Sequence, residues 1–195
     1  MRVLAGDVGG TKTRLALVEP GEGFLRVEAE AERRSTDHAG LADLVRAFLD
    51  SGVEAPSAAA FGLPGPVLDR RARLTNLPWQ VDADALAAEL AIPDVALLND
   101  LEATAYGIGE LEAGDVEVIA DGDPEAHGNA ALLAPGTGLG EAGLYWDGAR
   151  HRPFATEGGH SDFAPLDDTD YALHAHLAAR FGHVSWERVL SGPGL

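Results

Sequence analysis

Asp7 ends a short apolar run, and Gly9, Gly10, Thr11 and Lys12 follow it where a second, alternating run begins. A hairpin turn accounts for the two glycines, which reach positive φ without strain. It does not account for a carboxylate at the end of an apolar strand. A phosphate cradle accounts for both. Glycines let backbone N–H groups approach an anion, Thr11 adds a hydroxyl, and Asp7 is placed to hold Mg²⁺, directly or through water, beside the phosphates. The order of glycine and lysine is not that of a Walker loop, and a strand follows instead of a helix. Lys12, inside this loop, is the single lysine of the chain.

A second loop of this kind spans Gly136, Thr137 and Gly138 in "APGTGLGEAG". Its G-x-G-x-G would suit a dinucleotide site if a helix followed. Instead Ala142, Leu144 and Trp146 alternate, which marks a strand. Two strand–loop–strand elements, each with Gly-Thr, suggest two loops gripping one phosphate chain from opposite sides. Asn99 and Asp100 stand where a helix N-cap belongs. A carboxylate at the carboxyl end of a strand in an open α/β sheet also faces the ligand cleft, where it can take a proton from a substrate hydroxyl. One residue is thus expected both to cap and to catalyse. Glu157 and His160 flank two glycines, either as an ordinary turn or as a sugar site, since a carboxylate accepts from neighbouring hydroxyls and a neutral His donates or accepts. His174 and His176, two apart on a predicted helix, cannot share a face and read as surface or packing residues.

The elements that must position these groups are legible from periodicity. Residues 2–7, 12–19 and 24–33 read as strands. Leu41, Leu44, Val45, Phe48 and Leu49 have helical spacing, with Gly52 as a stop signal. A short apolar run follows in "SAAAFGLPGPV", then a helix in "DADALAAELAIP", a strand in "VALLND" expected to be buried because its apolar run is unbroken, and a helix in "LEATAYGIGEL". The pattern then restarts as strand, Gly/Thr loop, strand and a third strand in "ARHRPFATEGG". A helix with Leu173, Leu177 and Phe181 on one stripe comes next, and a short one in "VSWERVL". Residues 1–110 therefore read as one α/β unit and 111–195 as the front of a second, similar one, divided in the acidic stretch 112–129.

The 195 residues, 46% hydrophobic, can bury a core, and no apolar run is long enough to cross a bilayer. A formal net charge of −18 argues against nucleic acid or an anionic membrane as partner. With no Cys there are neither disulfides nor thiolate metal sites. No secretory signal is evident, so the expected location is the cytoplasm.

The stretches "GDVGGTKTRLAL", "LPGPV", "LTNLPW", "LLNDLEATAYGI", "APGTGLGEAGL", "TEGGHSDFAP" and "GHVSWERVLSGPGL", in this order along the whole chain, resemble the bacterial glucokinase family of the actin-like ATPase and sugar-kinase superfamily. The resemblance implies an α/β, ribonuclease H-like fold, with a complete small domain and the N-terminal part of a large one. It implies ATP-dependent phosphorylation of glucose at the 6-hydroxyl, with Mg²⁺, and a homodimer as candidate assembly. Asp7, Gly9, Gly10, Thr11 and Lys12 would attend the ATP phosphates, as would Gly136, Thr137 and Gly138. Asp100 would be the general base, and Asn99, Asp100, Glu157, His160 and Glu187 would hydrogen-bond the glucose ring. Taken alone, Glu187 reads as an ordinary exposed helical residue. Ala134-Pro135 stands where some relatives carry glycine. Family members continue past "LSGPGL" with an adenosine motif and further strands, so the alternative is a truncated, weakly active or inactive sugar-binding fragment. A ROK-type hexose kinase or repressor is a further alternative, although those proteins usually carry a Cys-rich zinc motif.

Overall fold

Alternating apolar residues in the first third of the chain give three antiparallel strands: β1 (Val3–Val8), β2 (Lys12–Gly21) and β3 (Phe24–Arg34). The computed structural model describes residues 1–21, 24–123 and 125–195. Contacts divide the chain into two units, Met1–Thr104 and Ala105–Leu195.

In the first unit, α1 (Leu41–Leu49) buries Leu41, Leu44, Val45 and Phe48, the expected stripe, with Leu49 partly buried beside it. The chain then enters β4 (Ala58–Leu63), which pairs in parallel with β1. Three very short strands, β5 (Val67–Leu68), β6 (Arg71–Arg73) and β7 (Gln80–Asp82), form a separate small sheet that periodicity did not predict. Asp69 and Arg70 join β5 to β6 with φ of 48° and 62°, the backbone of a primed two-residue turn. The next helix, α2 (Ala83–Leu90), is capped by Asp82, whose side chain accepts from the N–H groups of Asp84 and Ala85.

Strand β8 (Asp94–Asn99) completes a five-stranded sheet of order β3-β2-β1-β4-β8. The expectation of a buried strand fails here. β8 is the edge of the sheet, and only Val95 is buried, because its faces are incompletely covered: Leu97 is only partly buried against the core and Leu98 lines a cavity. At the opposite edge lies β3, studded with ion pairs: Arg26 with Glu19 and Glu28, and Glu32 with Lys12 and Arg14. Leu4, Val8, Leu15, Leu17, Phe61, Leu63 and Val95 form the core with α1 and α2. After β8 the chain turns directly into α3 (Asp100–Gly107).

In the second unit, residues 112–129 form neither helix nor strand among those described, and Pro124 lies outside the described residues. Strands β9 (Ala130–Pro135), β10 (Leu139–Trp146) and β11 (His151–Thr156) then make an antiparallel sheet of order β11-β10-β9, repeating the β3-β2-β1 arrangement of the first unit. The β10–β11 turn is organised by Asp147, which accepts from the N–H groups of Ala149 and Arg150, both at 2.9 Å, and from the Arg152 guanidinium. Helix α4 (Asp168–Phe181) has no buried residue among those described. Its Leu173 and Phe181 remain exposed, with the guanidinium groups of Arg180 and Arg188 over the Phe181 ring. A four-residue α5 (Trp186–Val189) follows.

Candidate functional site

In the first unit the Gly9–Lys12 loop is closed by the Gly9 N–H donating to the Lys12 carbonyl (2.9 Å). Its carbonyls are held from below. The fully buried Ser35 hydroxyl donates to Gly9 O (2.7 Å) and lies 3.0 Å from the buried Thr13 hydroxyl, while Ser35 N–H donates to Thr11 O (3.0 Å). A Cβ on Gly10 would sit 2.7 Å from Asn76 Cβ, so the loop abuts the "LTNLPW" segment and glycine is needed for that approach. The Thr11 side of the loop is exposed. Lys12 is drawn to Glu32 by an ion pair on the strand surface.

Asp7, exposed at the end of β1, and Asp100, half-buried at the start of α3, line one cavity of about 540 Å³ together with Gly6, Arg14, Glu30 and Thr104. The capping duty expected of Asp100 belongs to its neighbour. Asn99 Oδ1 accepts from the N–H groups of Leu101 (3.0 Å) and Glu102 (3.3 Å), and its amide donates to Gly65 O (3.2 Å). Asp100 keeps one bond, from the Leu101 N–H at 2.9 Å. A half-buried carboxylate loses part of its hydration, which disfavours its charged form. Burial above all raises the Asp100 carboxyl from its ordinary value; the Leu101 N–H opposes this, and the negative charge of Asp7 adds to it. The result is a carboxylate with an increased appetite for a proton, on a cavity wall.

In the second unit, Gly136, Thr137 and Gly138 link β9 to β10. The turn is closed by Gly136 N–H donating to Gly138 O (2.8 Å), and Gly192 N–H donates to Gly136 O (2.7 Å). Thr137 is exposed. Glu157, His160 and Glu187 come together beside this loop. His160 Nε2 lies 3.7 Å from Glu157 Oε2, and His160 Nδ1 lies 3.9 Å from Glu187 Oε1. Those spacings exceed a direct hydrogen bond and leave the polar atoms free for other partners. Glu157 and His160 are exposed, but Glu187 is only 28% so. The ordinary exposed glutamate expected from sequence is therefore replaced by a held one: Glu187 Oε2 accepts from the Leu139 N–H at 3.0 Å. Phe163 and Trp186, packed edge to face at 5.0 Å, and the Trp186 N–H on Ser161 O (3.0 Å) pin α5 to the segment that follows His160. His174 is partly buried and His176 exposed.

Sequence reasoning missed Ser35, Thr13 and Asn76, which support the first loop. The place of "LTNLPW" among the stretches that carry the family resemblance was the only signal for Asn76; a lone serine carries none. Among the described residues no set of three or more His, Asp or Glu side chains is placed to hold a metal, and no helix is long and apolar enough to cross a membrane.

A family model described as Glucokinase matches residues 4–195. The glucokinase of Aromatoleum aromaticum is 42% identical over 98% of this chain, which spans 58% of that relative's length. The crystal structure of a glucokinase from an Antarctic psychrotroph is 30% identical and superposes with a TM-score of 0.87, over 99% of this chain and 61% of its own. The glucokinase of Balamuthia mandrillaris, solved in complex with glucose, shares the fold at 24% identity and a TM-score of 0.70, over 99% of this chain and 60% of its own.

Proposed function

Because the chain belongs to the glucokinase family and has the actin-like ATPase fold of its relatives, we propose that it serves ATP-dependent phosphorylation of glucose at the 6-hydroxyl. The observation that carries this is Asp100. It is half-buried, relieved of capping by Asn99, shifted toward proton affinity, and set on a cavity wall with Asp7.

The mechanism uses this chain's residues as follows. Asn99 and Asp100 of the first unit, and Glu157, His160 and Glu187 of the second, are the groups that offer hydrogen bonds to the sugar hydroxyls. Asp100 accepts the proton of the 6-hydroxyl as the oxygen attacks the γ-phosphoryl group. The backbone N–H groups of the Gly9–Thr11 and Gly136–Gly138 loops, with the hydroxyls of Thr11 and Thr137, bind the phosphates and stabilise the charge spread over the transferring group. Lys12 supports the first loop from its strand-surface pair with Glu32. Asp7 suits a magnesium ion that retains water and phosphate oxygens, for such an ion needs only one or two carboxylates; when bound, it neutralises phosphate charge. The reaction feeds glucose 6-phosphate to glycolysis in the cytoplasm.

The test is direct: full-length protein, ATP, Mg²⁺ and glucose, with product read by a coupled dehydrogenase. Glucose-dependent formation of the 6-phosphate is expected. ATP turnover indifferent to glucose, or phosphorylation at another hydroxyl, would refute the assignment.

A further inference from the structure

Gly138 is read from sequence as a phosphate-loop glycine, yet nothing in its backbone calls for glycine. Its φ is not in the left-handed region, unlike those of Gly52, Gly65, Gly148 and Gly182. What it requires is room. A Cβ at Gly138 would lie 2.3 Å from Glu187 Oε2 and 3.1 Å from Glu187 Cδ, far inside contact. Gly136, two residues earlier in the same loop, has nothing within 4 Å of the corresponding point. The space beside Gly138 is therefore filled by one specific carboxylate.

One oxygen of that carboxylate is bonded, and the other stands near His160 beyond hydrogen-bond reach. Oε2 accepts from the Leu139 N–H at 3.0 Å, and Oε1 lies 3.9 Å from His160 Nδ1. The other side of Leu139 is occupied too, since a Cβ on Gly159 would come within 2.1 Å of Leu139 O. The residue that follows the phosphate loop is thus bonded on its N–H by Glu187, while the glycine next to His160 packs closely against its carbonyl. Glu187 lies on the four-residue α5, whose ladder fixes backbone and not side chains, and whose place is set by Trp186 on Ser161 O and Phe163. Its aim is set by the loop.

We propose that Gly138 is a positioning residue of the sugar site. The missing side chain makes the room in which the Glu187 carboxylate is locked on Leu139 N–H, oriented with His160 toward the hydroxyls of a hexose. This rests on the assignment of Glu187 to hexose binding. A substitution in the phosphate loop should then weaken sugar binding when no nucleotide is present.

The experiment is a calorimetric glucose titration of the full-length protein, without nucleotide, for wild type, Gly138→Ala, Glu187→Ala and the double variant. Gly138→Ala should raise the glucose Kd by about ten- to a hundredfold, the range for losing a hydrogen bond to a charged group. Glu187→Ala should raise it at least as much. In the double variant the two losses should not multiply: with no carboxylate to displace, the extra methyl should change Kd by less than about twofold. A Gly138→Ala Kd within about twofold of wild type, or multiplicative losses, would overturn the proposal. If Gly138→Ala does not fold, the double variant must fold as Glu187→Ala does, and its failure would equally overturn it. Wild-type protein that binds no glucose would instead refute the hexose assignment itself, and the proposal with it.

Discussion

Asp100→Asn separates the chemistry from the scaffold. The amide is isosteric, its Oδ1 can still accept the Leu101 N–H now held at 2.9 Å, and the helix start stays capped by Asn99. Helix α3 should therefore survive. What is lost is proton acceptance, worth about 10²–10⁴-fold in kcat, or roughly 3–5 kcal/mol of barrier. The glucose Kd should stay within a few-fold of wild type, because the amide can still hydrogen-bond the sugar and Glu157, His160 and Glu187 are untouched. Stability should move the other way. The Asp100 carboxyl is raised in the folded state, chiefly by burial. A raised carboxyl favours the folded protein only while protonated, and that contribution is lost as pH rises through the folded value. The neutral Asn escapes this loss, so the variant should melt higher than wild type at pH 7. The difference should shrink to nothing as pH falls below the ordinary aspartate value of 3.8. A coupled phosphorylation assay and thermal melts across this pH range test both halves. A kcat within tenfold of wild type would remove Asp100 as the base, and a variant that melts lower at pH 7 would refute the burial argument.

Asp7→Asn removes a negative charge that raises the Asp100 carboxyl. The acid limb of kcat/KM against pH should move to lower pH, and an upward shift would contradict the coupling. Ser35→Ala strips the support under Gly9 O and the Thr13 hydroxyl; urea unfolding should show a loss of about 1–3 kcal/mol, and an unchanged midpoint would show that these groups find other partners. Asp147 is held well below the usual carboxylate range by the Arg150 N–H, the Arg152 guanidinium and the Ala149 N–H. It stabilises the β10–β11 turn above the ordinary aspartate value, and that effect is lost progressively as pH falls from there toward the lowered folded value. Asp147→Asn should therefore lower the Tm at neutral and mildly acidic pH and converge with wild type in strong acid, as read by circular dichroism.

The long elements were legible because their signals are periodic and local. The alternation through Leu15 and Leu17 and the helical stripe through Leu44, Val45 and Phe48 each span enough residues to reveal their period. Strands of two or three residues such as β5 and β6 cannot show a period, and their Asp-Arg turn lacks the usual Asn-Gly signal. The edge position of β8 was invisible because an apolar run gives burial preference but not neighbours. At the site, Asp7, Asp100 and the two glycine loops stood out by residue type against apolar strands. Glu187 stood out only through its sequence context. The bond that holds it reaches 48 residues back to Leu139, and no spacing rule encodes a partner that distant. The division of labour between Asn99 and Asp100 was equally hidden, since adjacent cap-forming residues are interchangeable until backbone geometry chooses one.

The paired charges along β3 bear on how the first sheet ends. An exposed edge strand is a template for another chain, and charge is one way to blunt it. A second copy adding a strand there would have to disturb the Arg26–Glu28 and Arg14–Glu32 pairs and bring its own surplus of carboxylates against Glu30 and Glu32. With a net charge of −18 on each copy, like-charge repulsion opposes that approach at close range. Electrostatics thus blunts this border against sheet-to-sheet aggregation.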